Sequence, residues 1–152
     1  MKAFRFRLDS VLTLRAAKEN EAKERYALAL SAVARAEREL ANAQTDLERL
    51  HEGLESSRTR RFRRNDQIIS LNAISYQRSI CERNAERLAH SRQEARSRLQ
   101  DFLTAKRAHE ALLRLRAKQQ AEHLHEAERR EQLAVDDFVM ARFVAKTSEV
   151  PA

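Results

Sequence analysis

Arg58, Arg60, Arg61, Arg63 and Arg64 fall within seven residues, with no carboxylate among them. Guanidinium groups gathered this way suit an acidic protein surface or a phosphate backbone, and a solvated turn would carry them equally well. Phe62 is the one aromatic inside the cluster. It offers no stacking platform for bases, so nucleic acid is the weaker of the two partners. Other candidates for chemistry are sparse. His123 and His125 are two positions apart and point to different faces of a helix, where they cannot hold one ion. Cys81 has no histidine a helical turn away to activate it, and Asp136 and Asp137, being adjacent, do not converge. A single glycine, Gly53, excludes a glycine-rich phosphate loop. The residues therefore point to no enzyme, no metal, no cofactor and no small-molecule substrate.

The elements that carry these residues are helices. The chain has 152 residues, one glycine, one proline (Pro151) and no tryptophan, and charged residues make up 35% of it. Alanine, leucine, glutamate, arginine and glutamine dominate, and these are strong helix formers. So few turn residues leave room for one sharp reversal. The charge is +7, with ten basic and ten acidic residues over 1–55 and nine of each over 101–152, so the excess lies between 56 and 100. The lone cysteine suits a reducing cytosol, and neither a signal peptide nor a membrane span is evident.

Ala22, Tyr26, Ala29, Val33, Ala36, Leu40, Ala43, Leu47, Leu50 and Leu54 are spaced alternately four and three apart. That spacing draws one narrow stripe along a helix, and such a stripe packs on a partner helix. Alanine recurs every seven residues at Ala22, Ala29, Ala36 and Ala43, which lets a second backbone come close. The pattern predicts an all-α protein, two long helices forming an antiparallel coiled-coil hairpin with the second helix longer. It is read as a single coiled-coil domain over 1–152: helix 1 about 8–55, a basic turn about 56–66, helix 2 about 67–146 and a frayed tail 147–152. Asp9 or Ser10 is placed to cap the first helix, while Gly53, Ser56 and Ser57 weaken its end.

The second helix has a weaker stripe. Cys81, Ala85, Leu88, Ala95, Leu99, Phe102 and Leu113 share a register that Arg92, Lys106 and His109 interrupt. Ala105, Ala108, Leu112 and Leu115 lie just off it, and Leu124, Ala127, Ala134, Phe138 and Ala141 form a third set, as if the stripe drifted around the helix. With the reversal near residue 61, Leu8 would face roughly residue 114. Residues 115–146 would then project on the order of 45 Å past their partner, ordered by a binding partner or frayed without one.

Apolar residues crowd both ends: Phe4, Phe6, Leu8, Val11, Leu12 and Leu14 at one, Phe138, Val139, Phe143 and Val144 at the other. Two readings are open, that the sets pack on each other or that they present an apolar surface to a receptor.

The opening Phe4-Arg5-Phe6-Arg7-Leu8, followed by Val11-Leu12 and Leu14-Arg15, resembles the start of the FliJ family. Ser75-Tyr76-Gln77-Arg78-Ser79-Ile80 resembles its tyrosine-glutamine motif, and Glu131, Asp136-Asp137 and Arg142-Phe143 its acidic-then-phenylalanine ending. The likeness runs in order through the whole chain. It implies a non-enzymatic central stalk of the bacterial flagellar type III export apparatus, cytoplasmic and peripheral on the inner face of the cell membrane at the flagellar base. The implied partners are the hexameric export ATPase, the cytoplasmic domain of the export gate membrane protein, and export chaperones that it escorts. By the resemblance, the ATPase surface comprises Phe4, Phe6, Leu8, Val11, Leu12, Leu14, Phe138, Arg142 and Phe143. The gate surface comprises Tyr76, Ile80, Arg83 and His90. Ser79 and Arg83 depart from the apolar residues that family members often carry there. An injectisome stalk protein of the same architecture, or a generic scaffolding or nucleic-acid-associated coiled coil, are the alternatives.

Overall fold

The computed structural model describes residues 3–60 and 63–148, with side chains through Val144. Arg61 and Phe62 of the expected basic turn, and 149–152 of the expected tail, lie outside the described residues. The fold is all-α. Helix α1 runs Asp9–Arg58 and helix α2 runs Arg64–Ser148, lengths of 50 and 85 residues. The chain divides into two compact units, one of Lys18–Ala105 and the other of Met1–Ala17 with Lys106–Ala152.

The first of these units is an antiparallel helical hairpin. On α1, Ala29, Ala36, Ala43 and Leu54 are buried, and Ala22, Tyr26, Val33, Leu40, Leu47 and Leu50 are half-buried. The facing stripe of α2 does not drift. Gln67, Ser70, Ile74, Gln77, Cys81, Asn84, Leu88, Ser91, Ala95, Arg98 and Phe102 are all buried or half-buried, in steps of three and four. Ala85, expected in the stripe, is exposed. Apolar periodicity missed this register because six of its positions are held by the polar Gln67, Ser70, Gln77, Asn84, Ser91 and Arg98.

The small α1 residues explain how amides are accommodated there. Gln77 Nε2 donates to the Ala43 carbonyl at 3.0 Å, and Asn84 Nδ2 to the Glu39 carbonyl at 3.3 Å. A helical carbonyl keeps a second lone pair, and the buried alanines Ala36 and Ala43 leave the α1 backbone reachable there. Among the described residues no buried side-chain nitrogen or oxygen lacks a hydrogen-bond partner. Outside the stripe, Arg87 reaches Glu39 at 3.0 Å and Arg92 reaches Glu37 at 2.8 Å. These exposed pairs contribute about 0–1 kcal/mol each and bias alignment more than stability. The rings of Tyr26 and Phe102 stack with centres 6.4 Å apart, 7° from parallel.

Helix α1 continues past Gly53 to Arg58, beyond the expected end near 55. The hydroxyls of Ser56 and Ser57 both donate to the Gly53 carbonyl and that of Thr59 to Ser56, which satisfies backbone groups at the fraying end. With α2 beginning at Arg64, the reversal is shorter than the 56–66 expected from composition.

In the second unit, Asp9 opens α1 and the Leu8 carbonyl accepts the Leu12 N–H at 2.8 Å. The extended segment before it lies on α2, where the Phe4 ring meets His123 with centres 5.7 Å apart. Phe6 and Leu12 are buried, and Asp9 faces Arg116 at 3.6 Å. The arm carries the contact on α2 to His123, so the stretch of α2 without a neighbour from the N-terminal segment is shorter than the 115–146 expected. Every described side chain from Glu128 to Val144 is exposed.

Candidate functional site

Two exposed apolar surfaces stand out, one in each unit. The first lies on the last turns of α2. Leu133, Val135, Phe138, Val139, Met140, Phe143 and Val144 are exposed, Phe138 at 61% and Phe143 at 66%. At 100° per residue these side chains spread over about 240° of the helix circumference. A helix with so broad an apolar surface is normally enclosed. Arg142 holds its guanidinium 5.6 Å from the Phe138 ring centre, a cation–π contact that orients the ring.

The terminal residues named from the sequence do not form one patch. Phe6 and Leu12 are core, and Phe4 is half-buried on His123. Leu14 is well exposed, with Leu8 and Val11 at the border of exposure. Phe138 and Phe143 lie fifteen and twenty positions beyond His123, about 22 and 30 Å along the helix. The N-terminal set therefore packs on an earlier stretch of α2, and the C-terminal set stays open. Between the arm and α2, an open cleft of about 700 Å³ is lined by Phe4, Phe6, Ser10 and Asp9 with Arg5, Arg7 and Arg116.

The second surface is on α2 near the turn. Tyr76, Arg83 and His90 are seven apart and exposed, and half-buried Ile80 lies between them on the same side. They flank the stripe that packs on α1, since each stands one position before Gln77, Asn84 or Ser91. Arg83 Nε donates to the Ser79 carbonyl at 3.3 Å, which folds its side chain back along the helix. Ile68, Ile69 and Leu71 extend the exposed apolar area toward the turn. Sequence reading passed over these three, and over Leu133, Val135 and Met140. The available signal was an apolar residue off the stripe, legible only once the register of α2 is known.

Among the described residues no cluster of three or more histidine, cysteine, aspartate or glutamate side chains could hold a metal ion. Cys81 is a half-buried thiol within the α2 stripe. No helix of the described residues is long and apolar enough to cross a membrane.

These features define a class: an all-α protein of two long, antiparallel-packed helices that offers surfaces to partners. The chain belongs to the FliJ family, whose model, flagellar FliJ protein, matches residues 4–148. Membership associates it with flagellar type III export, in a family of non-enzymatic structural and escort proteins. No curated protein and no solved structure matches the chain.

Proposed function

We propose that this chain is a central-stalk component of flagellar export, held in the hexameric export ATPase and linked to the cytoplasmic domain of the export gate. One observation carries the reading. The α2 segment from Leu133 to Val144 is exposed on all sides and carries large apolar side chains over about 240° of its circumference, with Asp136, Asp137 and Arg142 among them. A flat docking surface would cover one side of such a helix, whereas a ring covers all of them. Phe138, Arg142 and Phe143 form the inserted end, and Leu8, just before α1, with Val11 and Leu14 on α1, supplies a second contact. Phe6 and Leu12 act within the protein, holding the arm on α2.

The gate contact is assigned to Tyr76, Ile80, Arg83 and His90, which share one side of α2. Export chaperones are further partners in this reading. ATP hydrolysis by the cognate ATPase, measured with and without the chain, tests the stalk role. Wild-type protein is expected to stimulate hydrolysis and ring assembly, and Phe138→Ala/Phe143→Ala to lose most of that stimulation. Equal stimulation by wild type and the double variant would remove the inserted end from the proposal. No stimulation by wild type, with salt-sensitive binding to RNA or DNA instead, would replace it by the nucleic-acid reading.

A further inference from the structure

Between Glu55 and Glu82 the sequence has one acid, Asp66. In that span Arg58, Arg60, Arg63 and Arg64 are exposed, and none of them forms an ion pair among the described residues. Elsewhere in the same unit, Arg87 and Arg92 both find carboxylates. Directly after this cluster come Ile68, Ile69 and Leu71, exposed by 50%, 66% and 45%.

The helix geometry puts the two features together. Arg64, Ile68 and Leu71 stand at i, i+4 and i+7 and share one side of α2. Gln67, Ser70 and Ile74, centred about 90° further round the helix, turn toward α1. Asp66 is two positions from Ile68 and so about 160° away around the helix. The start of α2 therefore presents a cationic and aliphatic side from Leu71 to Ile69, with its single carboxylate at the edge, since Asp66 stands three positions before Ile69 and about 60° beyond it.

We propose that this side docks on an anionic lipid bilayer, lying along the surface with Ile68, Ile69 and Leu71 in the interface and the arginines among the headgroups. The spread of the apolar side chains selects a bilayer over an acidic protein. From Leu71 to Ile69 they cover about 160° of the helix circumference. A protein groove reads a narrow ridge at i, i+3 and i+4, whereas a lipid interface accepts a broad arc. Each arginine near an anionic surface adds to the attraction, and salt weakens it.

Co-sedimentation of the full chain with vesicles tests the proposal. One set is phosphatidylcholine alone, and the other contains phosphatidylglycerol at about one lipid in three. Binding is expected only to the anionic set, and it should fall steeply as salt is raised. Arg60→Glu/Arg64→Glu should weaken it by about tenfold or more. Ile68→Ser/Ile69→Ser, or Ile69→Ser alone should the double variant lose helicity, should weaken it at unchanged charge. Arg35→Glu/Arg38→Glu alters net charge equally on exposed α1 positions and should bind as wild type. Absent binding to anionic vesicles would overturn the proposal, as would equal losses for the two charge-reversal pairs. Binding unaffected by the isoleucine changes would also overturn it, leaving charge attraction alone. Capture by soluble polyglutamate in place of vesicles would assign the surface to acidic proteins.

Discussion

The side-chain amide of Gln77 donates a 3.0 Å hydrogen bond to the main-chain carbonyl of Ala43, from one helix to the other. Asn84 repeats the arrangement one heptad later on the Glu39 carbonyl. Both amides occupy positions where a two-stranded coiled coil would ordinarily place an aliphatic side chain. Their bonds compensate for apolar contact that small α1 residues could not supply.

Replacing Gln77 by alanine should lower the unfolding free energy by about 0.5–1.5 kcal/mol, the usual net value of such a bond. Gln77→Leu should cost less or stabilise, because the Ala43 carbonyl keeps its helical N–H and the leucine gains burial. Denaturant melts followed by circular dichroism compare the two. An Ala variant as stable as wild type would mean that water replaces the amide.

Ala36 is 4% exposed and buried in the contact with α2. Ala36→Leu should overpack it and cost about 1–3 kcal/mol. A thermal melt reads this directly. An unshifted midpoint would show that the helices separate to admit the larger side chain without loss.

Gly53 lies inside α1, and a methyl group added there would meet nothing within 4 Å. Gly53→Ala should therefore stabilise the protein by about 0.5–1 kcal/mol through helix propensity. A fall in melting temperature would instead mark this turn as one that must bend.

Phe6 and Phe138 should respond differently to truncation. Phe6 is 6% exposed, so Phe6→Ala should cost about 3–5 kcal/mol and release the N-terminal arm. Phe138→Ala should leave the melt within about 0.5 kcal/mol of wild type, because that ring is largely in solvent. Amide exchange adds a second readout. Residues 129–148 should exchange far faster than residues 67–105 in the isolated protein, and protection should rise when the ATPase is added. Uniform protection without a partner would contradict an unsupported helix end.

Legibility in the sequence followed side-chain chemistry. On α1 the stripe from Ala22 to Leu54 can be traced because each of its positions is apolar. On α2 the same repeat is present, but Gln77, Asn84, Ser91 and Arg98 conceal it from any count of hydrophobic residues. Losing that register also hid the relation of Tyr76, Arg83 and His90 to the stripe, and the exposure of Ile68 and Ile69. The ends are a different case. Phe4, Phe6, Phe138 and Phe143 are conspicuous in the sequence, yet only the contact of Phe4 with His123 separates the pair that packs from the pair that stays open. Local composition cannot supply this, because it depends on how far the arm reaches along α2.

The amide bonds of Gln77 and Asn84 end on main-chain oxygens, and every residue has one. The α1 residue that accepts each amide, alanine at one position and glutamate at the other, is therefore left free in chemical identity. Ala43 could become serine or glycine, and Glu39 nearly anything compact at its base, with the cross-helix bond still available. Pairing written in backbone atoms tolerates mutational drift on the accepting side, so descendants of one ancestor can keep this contact while their sequences lose most visible likeness.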